Sequence, residues 1–333
     1  MRRIKIGFVD FWADFRPQES LFYRILSSRY DIELSPDPDF LFCSTFGESH
    51  LKYDCVKIFY TGENQVPDFN LFDYALGFEK MEIGDRYLRF PNYLLYEKDY
   101  AGMKDKHTRA REALRNKDAF CSFVCSNNLA SSRRSDFLDR LDSYRTVSSG
   151  GRYRNNVGGP VSDKAAFLSR HKFDMAFENC SHPGYATEKI VQAFAACTVP
   201  IYWGDPCIAE TFNPDAFVNC NDFPSFDAVV ERIRQIDNDN ELYASMLAAP
   251  ALLAPEPPIE EFLFHIFDQD PSDAFRRSLD FWGRRYLESA RDKDRAFRMS
   301  PKGLWKSLYR HTLWKWRRHS GLLWKIDVLS KKK

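Results

Sequence analysis

The stretch FENCSHPGYATEKIVQAF, residues 177–194, places several polar side chains at the start of a predicted helix. Thr187, Glu188 and Lys189 directly precede the apolar helical pattern, and Asn179 ends the strand-like run before it. A helix N-terminus presents free N–H groups and a positive dipole, which favour phosphate. Lys189 adds a full charge, and Glu188 suits sugar or ribose hydroxyls. The stretch therefore predicts a nucleotide site, although spacing alone leaves open an ordinary helix start with Thr187 as N-cap.

A second stretch, SSGGRYRNNVGG at residues 148–159, combines glycines with Arg152 and Arg154. Glycines let the backbone approach a ligand closely, and an arginine can hold a diphosphate through two parallel hydrogen bonds. Loops of this composition are common, so the stretch by itself is weak evidence. Together with Lys189 it would supply two cations for one diphosphate.

The elements that would position these residues alternate between strand and helix. Runs such as RIKIGFVDFW, CVKIFYTGEN, FDMAFEN and TVPIYWG are separated by helical patterns, which predicts parallel sheets. We expect an α/β protein with two Rossmann-like domains facing a cleft, at residues 1–116 and 117–265. Helices at 266–296 can cross back to the first domain, and a tail follows at 297–333. Neither GxGxxG after a first strand nor GxxxxGK[ST] is present, which disfavours dehydrogenases and P-loop NTPases.

The C-terminal tail differs in charge from the rest of the chain. Residues 295–333 contain 12 Lys and Arg and one acid, Asp327, so that a segment of net charge +11 follows a body near −10. Basic charge opposite an aromatic face predicts an amphipathic helix at an anionic membrane surface. A helix packed on the body and a nucleic-acid-binding arm are the alternatives, and we expect no nucleic-acid partner. The residues expected on the aromatic face are Trp305, Leu308, Tyr309, Leu313 and Trp316.

The sequence offers no signal for export or membrane insertion. The first apolar run is interrupted by Lys5 and Asp10 and has no cleavage site, and no stretch reaches about 18 apolar residues. Eight cysteines occur without CxxC or Cys/His ligand spacing. This pattern favours reduced thiols in a cytosol and disfavours zinc or a disulfide framework.

The longer stretch FDMAFENCSHPGYATEKIVQAFAACTVPIYWGDP resembles the signature of the α-1,3/4-fucosyltransferases, and of their bacterial members above all. The family pattern has Phe-Glu-Asn, a short turn with Tyr, Thr-Glu-Lys, an apolar helix, and then Val/Ile-Pro-Ile/Val-Tyr-Trp-Gly. The stretches FYTGENQVPDFNLFDYALGFE, DRYLRFP and FNPDAFVNCNDF are also similar to the family. The resemblance spans roughly residues 4–285 and rests on specific motifs.

The resemblance implies a GT-B fold, in which the first domain faces the acceptor and the second binds GDP-fucose. It also implies inversion, by which GDP-β-L-fucose yields an α-fucoside. We expect transfer to O3 of GlcNAc in an N-acetyllactosamine-type glycan, within a Lewis-type glycan or a lipopolysaccharide. No cofactor or essential metal is expected, because GT-B enzymes do not depend on a DxD site. Transfer from another GDP-sugar, α-1,4 linkage and an inactive carbohydrate-binding relative are the alternatives.

The resemblance also implies roles for single residues. Glu63, in YTGEN, matches the general base that takes the proton of the acceptor hydroxyl, and Asn64 is expected to orient it or to touch the acceptor. Arg154 and Lys189 match the pair that holds the diphosphate. Glu188 matches a residue that binds donor hydroxyls.

Further residues match the donor side with less defined roles. Asn179 and Tyr185 match donor contacts, and Ser126 and Asn127 resemble a loop near the nucleotide. Glu178 is expected either at the donor or bonded to the sheet or a neighbouring loop.

The turn CSHPGYA departs from close relatives, with His182 and Pro183 at positions where bacterial members vary. A histidine there could suggest a base, but Glu63 already fills that role, so we expect His182 to be a turn residue. With a lipid-linked acceptor and a membrane-binding tail, the enzyme would be cytoplasmic and peripheral on the cytoplasmic face of the inner membrane.

Overall fold

Two parallel sheets organise the computed structural model, which describes residues 1–126 and 132–308. The first sheet has six strands in the order β2-β1-β3-β4-β5-β6, and every neighbouring pair is parallel. Its strands are β1 (Arg2–Val9), β2 (Tyr30–Leu34), β3 (Phe40–Cys43), β4 (Val56–Tyr60), β5 (Tyr74–Gly77) and β6 (Tyr87–Arg89). Strands β3, β4 and β5 are buried along their whole length, as parallel strands covered on both faces are.

The second sheet has five parallel strands in the order β11-β10-β9-β7-β8. They are β7 (Ala119–Phe123), β8 (Val147–Ser149), β9 (His171–Phe177), β10 (Val199–Trp203) and β11 (Val218–Asn219). Strand β9 lies at the centre of this sheet, so the residues that follow it emerge in the middle of the carboxyl edge. In an open parallel sheet, that edge is where ligands bind.

Helices connect and cover the strands of both sheets. They are α1 (Leu21–Ser27), α2 (Glu97–Lys104), α3 (Lys106–Arg115), α4 (Arg133–Tyr144), α5 (Lys164–Ser169), α6 (Glu188–Ala195), α7 (Phe226–Asn238), α8 (Asn240–Ala248), α9 (Ile259–Asp268), α10 (Phe281–Met299) and α11 (Pro301–Leu308). The alternating arrangement with parallel sheets agrees with the predicted α/β class. The connection between the two sheets contains α2 and α3.

We call the first sheet with its helices the first unit and the second sheet with its helices the second unit. Helix α6 follows a strand of the second unit but packs against both units. Its buried residues Ile190, Val191 and Phe194 share one hydrophobic core with Tyr93 and Met103 of the first unit. The apolar residues at positions 190, 191 and 194 form one helical face, and that face is what the packing buries. This packing therefore holds α6 against the first unit.

Helix α9 returns the chain to the first sheet. The ring of Phe267 lies 4.5 Å from that of Phe40 and 5.8 Å from that of Phe42, between ring centroids. At the end of the helix, Tyr30 donates a hydrogen bond of 2.6 Å from its hydroxyl to the carboxylate of Asp268. The domain boundary predicted between residues 265 and 266 falls inside this helix.

The described part of the tail is short and helical. It comprises the end of α10 and all of α11, where Trp305 is exposed. The rest of the aromatic face predicted for the tail, from Tyr309 to Trp316, lies outside the described residues. Within the described residues, no helix has both the length and the apolar character needed to cross a membrane.

Candidate functional site

Glu178 follows the last residue of β9, and none of its side chain is exposed. One carboxylate oxygen accepts the N–H of Thr187 at 2.7 Å, and the other accepts the Thr187 hydroxyl at 2.7 Å. Thr187 occupies the N-cap position of α6, but its hydroxyl caps no N–H of that helix. Thr187 is therefore the N-cap residue, as an ordinary helix start would have it, but its hydroxyl donates to Glu178 and binds no N–H of the helix.

Lys189 completes this cluster with a positive charge. Its ammonium group donates to the Glu178 carboxylate at 2.9 Å and to the Thr187 hydroxyl at 2.7 Å, and lies 3.3 Å from Glu188 Oε1. Burial by itself would lower the pKa of Lys189, but the carboxylates of Glu178 and Glu188 raise it above its ordinary value. The side chain keeps 21% of its surface exposed and lines the space in front of α6.

That space is a cavity of about 260 Å³ at the carboxyl edge of the second sheet. It brings together four of the predicted site residues, which are Ser126, Asn179, Glu188 and Lys189. Burial would raise the pKa of Glu188, but Lys189 and Lys164 together lower it below its ordinary value. Glu188 is therefore an anion beside two cations, a pairing that can take sugar hydroxyls while the cations hold phosphate.

Three charged residues that line the cavity were not predicted: Arg134, Lys164 and Asp174. The buried guanidinium group of Arg134 donates to the carbonyls of Phe177 and Glu178 and to Asn179 Oδ1, each at 3.0 Å. It thus fixes the path of the chain as it leaves β9. Arg134 lies on the apolar face of α4, where Phe137, Leu138 and Leu141 follow at helical spacing. A charged residue at an apolar position of the helical pattern is the sequence signal that could have predicted its role.

Asp174 and Lys164 bring two further opposite charges to the lining of the cavity, and of the two Asp174 is buried whereas Lys164 is partly exposed. Asp174 lies within β9 and accepts a hydrogen bond of 2.7 Å from the Ser122 hydroxyl. Burial raises the pKa of Asp174 to about 6, and Lys164 and Ser122 only partly offset it. Lys164 donates to Gln192 of α6 at 2.7 Å. Asp174 could have been predicted from the sequence, because it is an acid inside the apolar run FDMAF.

Arg154 does not line this cavity in the structure. Its backbone is left-handed, with φ of 50°, and its guanidinium group pairs with Asp139 of α4 at 2.5 Å. The neighbouring Tyr153 donates its N–H to the Cys125 carbonyl at 2.9 Å, which attaches the loop to the end of β7. Asn127, another predicted donor-side residue, lies outside the described residues.

The remaining predicted residues lie where the two units meet. Glu63 is exposed after β4, and its N–H donates to the Thr61 hydroxyl at 3.0 Å. Asn64 donates from its amide to Cys180 Sγ at 3.0 Å, across the interface. Tyr185 is buried, with 2% exposed, so its ring lies beneath the loop surface. Burial first, then the carboxylates of Glu178 and Glu63 among others, raise the pKa of Tyr185 above its ordinary value.

The loop at 179–187 is held by both units. Gly184 has φ of 82° and lies so close to Phe78 that a Cβ there would be 2.4 Å from the Phe78 carbonyl oxygen. Its N–H donates to Asp205 at 2.8 Å. His182, expected to be a turn residue, lies on this loop and pairs with Glu79 of the first unit at 2.7 Å. Only glycine fits the conformation and the close approach at position 184.

No group of three or more His, Cys, Asp or Glu side chains that could hold a metal ion occurs among residues 1–126 and 132–308. The charged groups that the described site offers to a ligand are carboxylates, ammonium groups and a guanidinium group.

Two family models match the chain. One, described as the α-(1,3)-fucosyltransferase FucT N-terminal domain, matches residues 6–96, and the other, glycosyltransferase family 10 (fucosyltransferase) C-term, matches residues 114–248. A crystal structure of an α1,3-fucosyltransferase with GDP-fucose is 33% identical and superposes with a TM-score of 0.66 over 77% of this chain and 85% of that one. The chain belongs to glycosyltransferase family 10, the fucosyltransferases. The predicted family and the predicted GT-B fold are thereby confirmed.

Other members of the fucosyltransferase family match over varying lengths. The α-(1,3)-fucosyltransferase FucT of Helicobacter pylori is 38% identical over 284 residues, which is 73% of this chain but 59% of that relative. Human 3-galactosyl-N-acetylglucosaminide 4-α-L-fucosyltransferase FUT3 is 33% identical over 132 residues, 39% of this chain and 36% of that relative. This chain therefore spans less than two thirds of the length of these curated relatives.

Replacing Asp174 by Asn should remove a pH dependence of stability. The folded-state pKa of about 6 lies above the ordinary value of 3.8, so the folded protein holds this proton more tightly than the unfolded chain does. The stability that this group contributes is present below about pH 4 and is lost as the pH rises through 6, by up to about 3 kcal/mol. Urea unfolding of both proteins between about pH 4 and 7 measures the difference.

The exposed strand residue Asp31 provides the control, because Asp31→Asn should leave the pH profile of stability unchanged. A difference between wild type and Asp174→Asn that stays constant across this pH range would contradict the assignment.

Proposed function

We propose that the protein is an inverting α-1,3-fucosyltransferase that transfers L-fucose from GDP-β-L-fucose to a hydroxyl group of a glycan. The observation that carries this proposal is the cavity in front of α6, where Lys189 and Glu188 stand side by side in a member of the fucosyltransferase family. A cation for the diphosphate and a carboxylate for sugar hydroxyls are what a sugar nucleotide requires. Solved relatives that contain GDP-fucose and GDP support this donor.

Lys189 and Arg154 bind the diphosphate in this proposal, and Glu188 binds hydroxyls of the donor. Lys189 already faces the cavity, whereas Arg154 pairs with Asp139. Binding through Arg154 therefore requires its guanidinium group to leave Asp139 or to be shared with it. Asn179 and Ser126 line the same cavity and are positioned to contact the nucleotide.

Inversion requires a single displacement at the anomeric carbon. The acceptor oxygen forms the new bond to C1 while the bond from C1 to the β-phosphate oxygen breaks, and GDP leaves with the electron pair. Glu63 accepts the proton of the acceptor hydroxyl. Lys189 and Arg154 stabilise the negative charge that develops on the departing diphosphate, and we propose that no divalent metal is essential.

We favour O3 of GlcNAc in an N-acetyllactosamine-type glycan as the accepting hydroxyl, within a Lewis-type glycan or a lipopolysaccharide. The name of the Helicobacter pylori relative supports the α-1,3 linkage. An α-1,4 linkage is the second candidate, because human FUT3, named as a 4-α-L-fucosyltransferase, is also among the similar proteins. Purified protein, GDP-fucose and a panel of type 1 and type 2 disaccharides, with the product linkage read by NMR, test both.

Glu63→Gln should lower turnover by about 10²–10⁴-fold, because loss of a general base removes that much rate. GDP binding measured by calorimetry should stay near that of wild type, since Glu63 lies outside the donor cavity. Glu33→Gln, a change on β2 of the same unit, is the matched control and should keep wild-type turnover. Turnover of Glu63→Gln within a few-fold of wild type would rule out Glu63 as the base.

Lys189→Ala and Arg154→Ala should each weaken GDP binding by about tenfold or more, because each removes a hydrogen bond between charged groups. Asp139→Asn should leave GDP affinity unchanged or raise it, since it releases Arg154 from its ion pair. Arg152→Ala serves as the control in the same loop. If calorimetry finds wild-type GDP affinity in both alanine variants, Lys189 and Arg154 do not bind the diphosphate. Full loss of activity in EDTA that Mn²⁺ restores would refute the proposal that no metal is essential.

We propose further that the tail at 297–333 attaches the enzyme to an anionic membrane surface, on the cytoplasmic face of the inner membrane, where the acceptor would be lipid-linked. The support is the net charge of +11 on residues 295–333 and the exposed side chains of Leu304 and Trp305. Each Lys or Arg near such a surface contributes on the order of 1 kcal/mol, and salt screens this attraction.

Deleting residues 300–333, which leaves α10 whole, should abolish sedimentation with anionic liposomes and preserve activity on a soluble disaccharide. Binding of the full chain should weaken in high salt without vanishing, because burial of Trp side chains is not screened. A truncated protein that is folded by circular dichroism and still sediments would place the anchor elsewhere. An unfolded truncated protein would make the tail part of the core and refute the membrane proposal.

A further inference from the structure

Glu63 shares a cleft of about 590 Å³ in the first unit with a group of aromatic side chains. Trp12 and Phe15 follow β1, and Phe46 follows β3, so all three lie at the carboxyl edge of the sheet that also carries Glu63. Trp12 and Phe46 each keep 40% of their surface exposed. We name Trp12, Phe15 and Phe46 the aromatic platform.

We propose that the aromatic platform binds the apolar face of a sugar ring of the acceptor glycan and so presents the neighbouring hydroxyl to Glu63. This inference rests on the proposed function and adds the residues that select the acceptor. Binding clefts of this size combine aromatic surface with a few placed polar groups, and the cleft beside Glu63 has both.

Two rings of the platform, Trp12 and Phe15, contact each other and the neighbouring rings of Phe8 and Phe11. The ring of Phe15 stacks on Phe11, with centroids 4.0 Å apart, and meets the edge of Trp12 at 5.0 Å. Phe8 of β1 packs beneath Phe11 and Phe15, at 5.8 and 5.5 Å. The exposed indole of Trp12 is therefore held by the rings of Phe11 and Phe15 and needs little rearrangement to receive a ligand.

A strained residue holds the loop that carries Trp12. Asp10 directly follows β1 and is left-handed, with φ of 62°, which is uncommon for a residue with a side chain. Its buried carboxylate accepts the N–H groups of Ser49 and His50 at 2.9 Å each and pairs with His50 Nδ1 at 2.9 Å. These bonds tie the loop after β1 to the turn after β3. A strained backbone conformation that several hydrogen bonds hold in place is typical of functional sites.

The charges around the cleft favour a neutral, hydroxyl-rich ligand. The charged residues of the lining are four acids and two arginines: Asp14, Glu19, Glu63, Glu97, Arg16 and Arg24. Arg16 pairs with Glu19 at 2.9 Å, and Arg24 pairs with Glu97. The surplus of acids disfavours an anion, and the charged rim disfavours a lipid chain. Carboxylates that can accept hydroxyl hydrogens, next to exposed rings, suit a sugar.

The cleft also adjoins the donor side of the molecule. Tyr96 lines the cleft. Burial, and then the negative charge of Glu188 across the interface, raise the pKa of the Tyr96 phenol to about 12. Glu63 acts in the same way on Tyr185 of the donor-side loop. A sugar ring held on the aromatic platform would therefore lie on the side of the cleft that faces the groups that hold the donor.

Steady-state kinetics with N-acetyllactosamine as the acceptor test this inference. Trp12→Ala should raise the KM for the disaccharide by about tenfold or more, because loss of an aromatic anchor commonly has that effect. Its KM for GDP-fucose should not change. Trp12→Phe, which keeps a ring, should recover most of the affinity. Trp282→Ala removes a tryptophan outside the cleft that is even more exposed, at 66% against 40% for Trp12, and should behave as wild type.

Calorimetric titration of N-acetyllactosamine in the presence of GDP separates this inference from the proposed function. If the wild-type protein binds the disaccharide through Trp12 but transfers no fucose, the proposed transferase activity is refuted and acceptor binding by the aromatic platform stands. An unchanged acceptor KM and affinity in folded Trp12→Ala would overturn the platform. If thermal unfolding shows that Trp12→Ala is not folded, Phe46→Ala, from a different loop, is read by the same criteria.

Discussion

The side chain of Glu178 has no contact with solvent, so each of its carboxylate oxygens needs a hydrogen-bond partner within the protein. Its oxygens bind the N–H and hydroxyl of Thr187 and the ammonium group of Lys189. Removing one partner of such a buried pair leaves an uncompensated charge, which is strongly destabilising. The requirement to satisfy Glu178 therefore sets where α6 begins and which way Lys189 points. Stability and ligand binding depend on the same contacts at this point of the fold.

The same device recurs at other strand ends. After β1, Asp10 binds the N–H groups of Ser49 and His50, and after β4, the hydroxyl of Thr61 binds the N–H of Glu63. In each case a side chain at the carboxyl end of a strand takes up free N–H groups of a loop. These loops carry the residues that we assign to the donor, to the aromatic platform and to the base. Rigid strands can thus position residues on irregular backbone.

Communication between donor and acceptor sides depends on packing across the two units. The core shared by α6 and the first unit, together with the Asn64–Cys180 and Glu79–His182 contacts, holds the loop at 179–187 from both sides. Glu63 belongs to one unit and Lys189 to the other, so their relative position is set by this interface. A substitution such as Gly184 to a larger residue would act on both sides at once, because the loop has no space there.

The sequence by itself determined the alternation of strands and helices, the family, and the residues around the start of α6, because those signals are local patterns of spacing and composition. It could not show that Arg134 and Asp174 line the same cavity as Lys189, or that Arg154 pairs with Asp139. It also did not reveal that α9 packs on the first sheet, or that Trp12 and Glu63 share a cleft. Those relations join residues far apart in the chain. Only the packing of the two sheets and the burial of charge bring them together.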